Sequence, residues 1–169
     1  MPWQRPYRSF RHLATDDRSA RRAFDKAALA RIGQLIADGE QRHRGQVRFA
    51  VEAALPLGRV WRRVSPRERA VEVFGLLRVW DTEDNCGVLV YLLLADRDVE
   101  IVADRGIHAR VGTAAWEAVC RKMEAAFREG RFAVGAETGI ADINALLVRH
   151  FPRDGMGGRN ELPDTPVVL

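Results

Sequence analysis

The segment Trp80-Asp81-Thr82-Glu83-Asp84-Asn85 and the later Asp104-Arg105-Gly106 hold the densest oxygen chemistry in the sequence. Asp81, Glu83, Asp84, Asn85 and Asp104 offer four carboxylates and an amide, the hard ligands that Ca2+ or Mg2+ takes. Arg105 is a fork for a phosphate beside such an ion. Gly106 permits close backbone approach ahead of a helix, whose N-terminus attracts an anion. In an enzyme reading, a metal held by Asp81, Glu83 or Asp84 and Asn85 polarises a phosphoryl oxygen, Arg105 steadies the charge and Asp104 positions water. The plain alternative is a solvated acidic loop, because the spacing matches no EF-hand.

Other chemistry-bearing residues are more scattered. Asp96-Arg97-Asp98 reads first as a hairpin turn with an internal ion pair, and secondarily as a site, since ligands favour the C-terminal ends of strands in open sheets. His12, His43, His108 and His150 show no HxxxH or HExxH spacing, and His43 stays a secondary candidate beside the acidic loop. Ser9, Ser19 and Ser65 lack a GxSxG context. Gly155-Met-Gly-Gly158 lacks the Lys-Ser/Thr of a phosphate loop. Cys86 and Cys120 fit no metal or redox spacing and read as reduced structural cysteines. No organic cofactor motif occurs.

These groups meet only if the intervening elements bring them together. Asp25 is an N-cap with Phe24 and Leu29 as a hydrophobic staple, and Leu29, Ile32, Leu35 and Ile36 form one helical face, so a helix is expected over 25–43, stopped by Gly45. Residues 46–53 alternate as a strand. Ser65-Pro66-Arg67-Glu68 is a capping box opening a helix over 66–79. Residues 87–95 are a strand buried on both faces, and 99–103 its antiparallel return. Helices over 113–129 and 134–150 follow. The order α-β-α-β-β-α-α gives a single-domain α/β/α sandwich with a small mixed β-sheet flanked by helices. Domain organisation is a basic arm (1–22), the α/β domain (23–152) and a tail (153–169), with both ends weakly structured. On this topology Glu52, the 54–64 loop and Asp96–Asp98 share one end of the sheet. Glu40, His43, the 80–85 loop and 104–106 share the other.

From Phe24 to Phe151 the sequence resembles the TPM domain family, which includes thylakoid-lumen acid-phosphatase-like proteins. The resemblance rests on Gly45-Gln-Val-x-Phe-Ala-Val51, Asn85-Cys-Gly-Val-Leu-Val90, Asp96-Arg97 and Glu100-Ile-Val-Ala-Asp-Arg-Gly106. The run from Arg67 to Ala70 and from Val79 to Ile107 is similar to a short bacterial branch without the signal peptide and C-terminal membrane helix. The resemblance implies an α/β/α sandwich, a divalent-metal site among the loops of the acidic end, and weak phosphatase activity in some members. Thr113 stands near the place where members carry an Asp, so one family ligand is absent.

The chain has 169 residues, formal net charge +4, 47% hydrophobic and 30% charged residues, which excludes disordered and collagenous classes. Six arginines and two aspartates fall within residues 1–22, so the excess charge sits in the arm and the body is balanced. Nucleic acid is therefore not the expected partner. An anionic membrane surface met by the arm, or an unidentified membrane-associated protein, is. No signal peptide or membrane-length apolar run is evident, so the expected location is cytoplasmic, peripheral at the inner membrane face. With no placed nucleophile, the residues favour an interaction or accessory module in membrane-protein maintenance. The alternative is a weak metal-dependent phosphatase.

Overall fold

The computed structural model describes residues 4–153, 155 and 160–169, with side chains from residue 7 onward. The Gly155–Gly158 stretch lies largely outside the described residues. The elements run α1 (Gln4–Ala14), α2 (Asp17–Ala23), α3 (Lys26–Glu40), β1 (Gln46–Glu52), α4 (Leu57–Trp61), α5 (Pro66–Leu76), β2 (Gly87–Leu93), β3 (Asp98–Ala103), α6 (Arg105–Val111), α7 (Thr113–Arg128), α8 (Phe132–His150) and β4 (Val167–Val168).

The sheet order is β3-β2-β1-β4, with β2–β3 antiparallel and the other two pairs parallel. Both faces of β2 are buried. Val88, Val90 and Leu92 meet α3, α7 and α8 with Ile32, Ile36, Met123, Phe127 and Ile140. Leu89, Tyr91 and Leu93 meet α5 through Ala70 and Val73. This is the expected α/β/α sandwich.

The local signals act as their chemistry dictates. The Asp25 side chain accepts from Ala28 N–H at 2.7 Å. Ser65 and Glu68 close the reciprocal box, Ser65 N–H donating to Glu68 Oε2 at 2.7 Å and Glu68 N–H to Ser65 Oγ at 3.1 Å. The α3 helix ends at Glu40, short of Gly45, where it crosses α8. Gly39 lies against Asn144 so closely that a Cβ would fall 2.3 Å from its side chain. The chain then turns through His43, which bridges to Pro152.

Two expectations need correction. Residues 4–22 are not a loose arm: α1 and α2 are helices, and Asp16 caps α2 through a box with Ser19. The arm is held by polar contacts to distant residues, which no local pattern displays. The tail also supplies a regular element, since β4 pairs with Ala50 and Val51. Ahead of it, Gln46 Oε1 accepts the Glu161 and Leu162 N–H groups at 2.7 and 3.1 Å, and Arg48 donates to the Pro163 and Thr165 carbonyls. Gln46 and Arg48 of β1 thus serve as docking points for the tail.

Candidate functional site

At the acidic end, Asp81, Glu83, Asp84 and Asn85 are all exposed. Asp81 accepts from Arg78 at 2.6 Å, and Asp84 lies 3.8 Å from Arg44. The N–H of Glu83 donates to Glu161 Oε2 at 2.9 Å, so the tail reaches this loop. Asp104 caps α6, its Oδ1 accepting the Arg105 N–H, while its Oδ2 is buried without a partner. Arg105 is exposed at the start of α6.

The motif residues here act through their backbones. Asn85 has φ +51°, in the left-handed region that Asn tolerates better than most residues. A Cβ at Gly87 would stand 1.9 Å from the Val79 carbonyl oxygen, and one at Gly106 would stand 2.9 Å from that of Asn85. Asn85, Gly87 and Gly106 therefore seat the 79–87 loop against the start of β2 and α6.

For a hard cation, this end supplies the unspent Asp104 Oδ2 and, beside Gly106, the Asp84 and Asn85 carbonyls. That is a thin oxygen set. Among the described residues, no three of His, Cys, Asp and Glu are grouped to hold a metal ion. His43 is fully buried, its Nδ1 3.1 Å from the Gly45 carbonyl and its Nε2 3.1 Å from Asn144 Oδ1. Burial pushes its pKa down, against both contacts. It joins α3 to α8, and its two nitrogens are spent on that junction.

The opposite end is more tightly built. Asp96, in the turn between β2 and β3, receives Arg8 Nε at 3.0 Å and Arg8 Nη2 at 2.8 Å and a further bond from Arg11, and His12 Nε2 lies 3.3 Å from its Oδ2. Burial alone would raise the Asp96 pKa; the contacts with His12 and Arg8 and the charges of both outweigh it and hold the carboxylate far below its usual range. Beside it, burial and the neighbouring Glu100, Glu124 and Asp96 push Asp98 up to about 6. Arg97, at φ +53°, is exposed and donates to the Arg128 carbonyl at 3.3 Å.

This cluster turns α1 inside out. His12 is 4% exposed, whereas Tyr7, Phe10 and Leu13 are 66%, 67% and 66% exposed. Arg8, Arg11 and His12 occupy one arc of the helix; Tyr7, Phe10, Leu13 and Ala14 occupy the other. The helix buries the polar arc. Between α1 and the start of α8 lies a cavity of ≈ 1050 Å³, walled by Tyr7, Phe10 and Val134, bordered by Arg128 and Arg131, with Asp98 at its floor. The opposite arcs were visible in the sequence, but the carboxylate that reverses them lies far along the chain.

The fold has a solved counterpart. The NMR structure of BA42 protein from the psychrophilic bacterium Bizionia argentinensis superposes with a TM-score of 0.76, at 25% identity, over 86% of this chain and 95% of that one. No curated protein matches the sequence. A model of the TPM domain matches residues 19–146, which takes in every strand but β4 and the loops of both ends. The chain belongs to the TPM domain family.

Proposed function

We propose that this TPM domain is an interaction module that engages its partner through the α1 end of the sheet. The observation that carries the reading is the outward apolar arc of α1. Burying a Tyr, Phe or Leu side chain stabilises by about 1.5–3 kcal/mol, and this helix leaves three of them in water. Contiguous exposed apolar surface of that kind marks contact with something else. An accessory role in membrane-protein maintenance is consistent with a module that docks and has no placed nucleophile.

Replacing Phe10 and Leu13 together by Ser tests the outward arc. The double variant is expected to melt close to the wild type, because Phe10 and Leu13 are 67% and 66% exposed. His12→Ala, by contrast, should melt lower. A large loss of stability in F10S/L13S would overturn the reading.

A specific observation supports a second reading at the acidic end: Asp104 Oδ2 has no partner, at an end where Gly106 lies against the Asp84 and Asn85 carbonyls. There Asp104, with the Asp84 and Asn85 carbonyls, would hold Ca2+ or Mg2+, and the ion would supply Lewis acidity for a weak phosphatase. Asp104→Asn keeps the helix cap and removes the charge. Metal-dependent turnover of a generic phosphate ester that Asp104→Asn abolishes would establish the enzyme in place of the module.

A further inference from the structure

We infer that the occupant of the α1 end is an anionic phospholipid bilayer. This rests on the reading above and names its partner. The 55–64 segment lies directly under α1: Leu55 N–H donates to His12 Nδ1 at 2.9 Å, and Arg8 donates to the Val64 carbonyl at 3.1 Å. That contact sets α4 beside α1, and Trp61 at the end of α4 is 72% exposed. Tyr7, Phe10, Leu13 and Trp61 thus give one end of the domain an aromatic and aliphatic crown. Such side chains favour the membrane–water interface, where an apolar body and a polar rim are both accommodated.

The charge on this end supplies the complement. Arg18 and Arg21 on α2, and Arg62 and Arg63 after Trp61, are exposed and have no carboxylate partner among the described residues. Exposed arginines left unpaired beside apolar side chains suit a surface of phosphate headgroups. A second copy of the chain does not fit, because two such faces would set arginine against arginine. The carboxylates Asp81 and Asp84 at the far end of the strands already face Arg78 and Arg44, so that end offers, among the described residues, no comparable set of unpaired arginines beside exposed apolar side chains. Docking through the α1 end leaves the 79–87 loop, at the other end of the strands, facing away from the lipid.

The test is co-sedimentation of the full chain with vesicles of phosphatidylglycerol and phosphatidylcholine, against phosphatidylcholine alone. Binding is expected only to the anionic vesicles and should fall with added salt. Arg62→Gln with Arg63→Gln should weaken it by roughly fivefold per arginine. Phe10→Ser, Leu13→Ser and Trp61→Ser together should abolish it, with melting temperature as the folding control. Asp81→Asn with Asp84→Asn should leave the bound state intact. Equal binding to neutral vesicles, binding that survives both the arginine and the apolar variants, or no binding at all would each overturn the proposal. If vesicles fail while F10S/L13S melts like the wild type, the α1 end still faces outward and its partner is a protein. If that variant unfolds, the docking reading falls as well.

Discussion

His12 and Asp96 stand 3.3 Å apart, Nε2 to Oδ2, joining the first helix to the turn between β2 and its antiparallel edge neighbour β3. The other ring nitrogen, Nδ1, accepts the Leu55 N–H, so the ring proton belongs on Nε2, facing the carboxylate. The ring thus bridges the Leu55 backbone and the Asp96 side chain, beside the two arginines.

Removing that carboxylate should release α1. Asp96→Ala leaves Arg8, Arg11 and His12 around an empty place and should cost about 2–4 kcal/mol in urea unfolding, at the lower side of buried pairs because both guanidinium groups are partly solvated. The pH dependence follows from a folded pKa held below the ordinary 3.8. The stabilisation is present above the unfolded pKa and is lost only as pH falls through the folded one. The gap between wild type and variant should hold from neutral pH to about pH 4 and close only in stronger acid.

Glu40 behaves in the opposite sense. Its Oε1 accepts the Val47 N–H at 2.7 Å, while Oε2 is buried without a partner. Burial, then the Asp164 charge, push its pKa up to about 8, against the Val47 hydrogen bond, the Arg153 charge and Gln46. The unfolded chain loses this proton near 4.5 and the folded chain near 8, so stability falls as pH rises between them. Glu40→Gln keeps the acceptor for Val47 and should be about 1–3 kcal/mol more stable than wild type at pH 8, with the advantage vanishing toward pH 4.5. Thermal melts across that range measure the slope.

Gly87 allows no side chain. A methyl group there would meet the Val79 carbonyl, which is backbone and cannot rotate away. Gly87→Ala should cost about 3 kcal/mol or more, near the upper end for overpacking. Gly58→Ala, where a Cβ meets nothing, is the control and should be neutral or mildly stabilising.

Leu92 is fully buried on the face that α3, α7 and α8 cover. Leu92→Ala should cost about 2–5 kcal/mol by equilibrium unfolding. A loss under 1 kcal/mol would mean that the face is not packed as described.

What the sequence disclosed divides along physical lines. The Asp25 and Ser65 caps, the alternation in β1 and the apolar run of β2 are local, and each read correctly. The short helix α4 leaves no signal, since five residues show too little of a 3.6-residue period, and α6 takes in Gly106, which the sequence sets ahead of a helix. The Asp96 cluster could not be seen, because its partners lie on an arm whose charges suggested solvation. The acidic loop was conspicuous by composition, yet its family motif turned out to act through the backbone at Asn85, Gly87 and Gly106. Residue type alone does not distinguish a carboxylate that awaits an ion from a loop that needs a glycine.

The position of β4 has a consequence for biosynthesis. Val167 and Val168 close the outer side of β1, and the Arg48 and Gln46 contacts that precede them seal the rest. During translation β1, β2 and β3 all leave the ribosome before this segment does. Until it arrives, β1 is an open edge with unpaired backbone groups, the kind of surface that recruits a strand from another nascent chain. The polar side chains that β1 carries at Gln46 and Arg48 keep that temporary edge poorly suited to a foreign apolar strand. The residues that dock the tail in the finished protein thus also guard its place while it is being made.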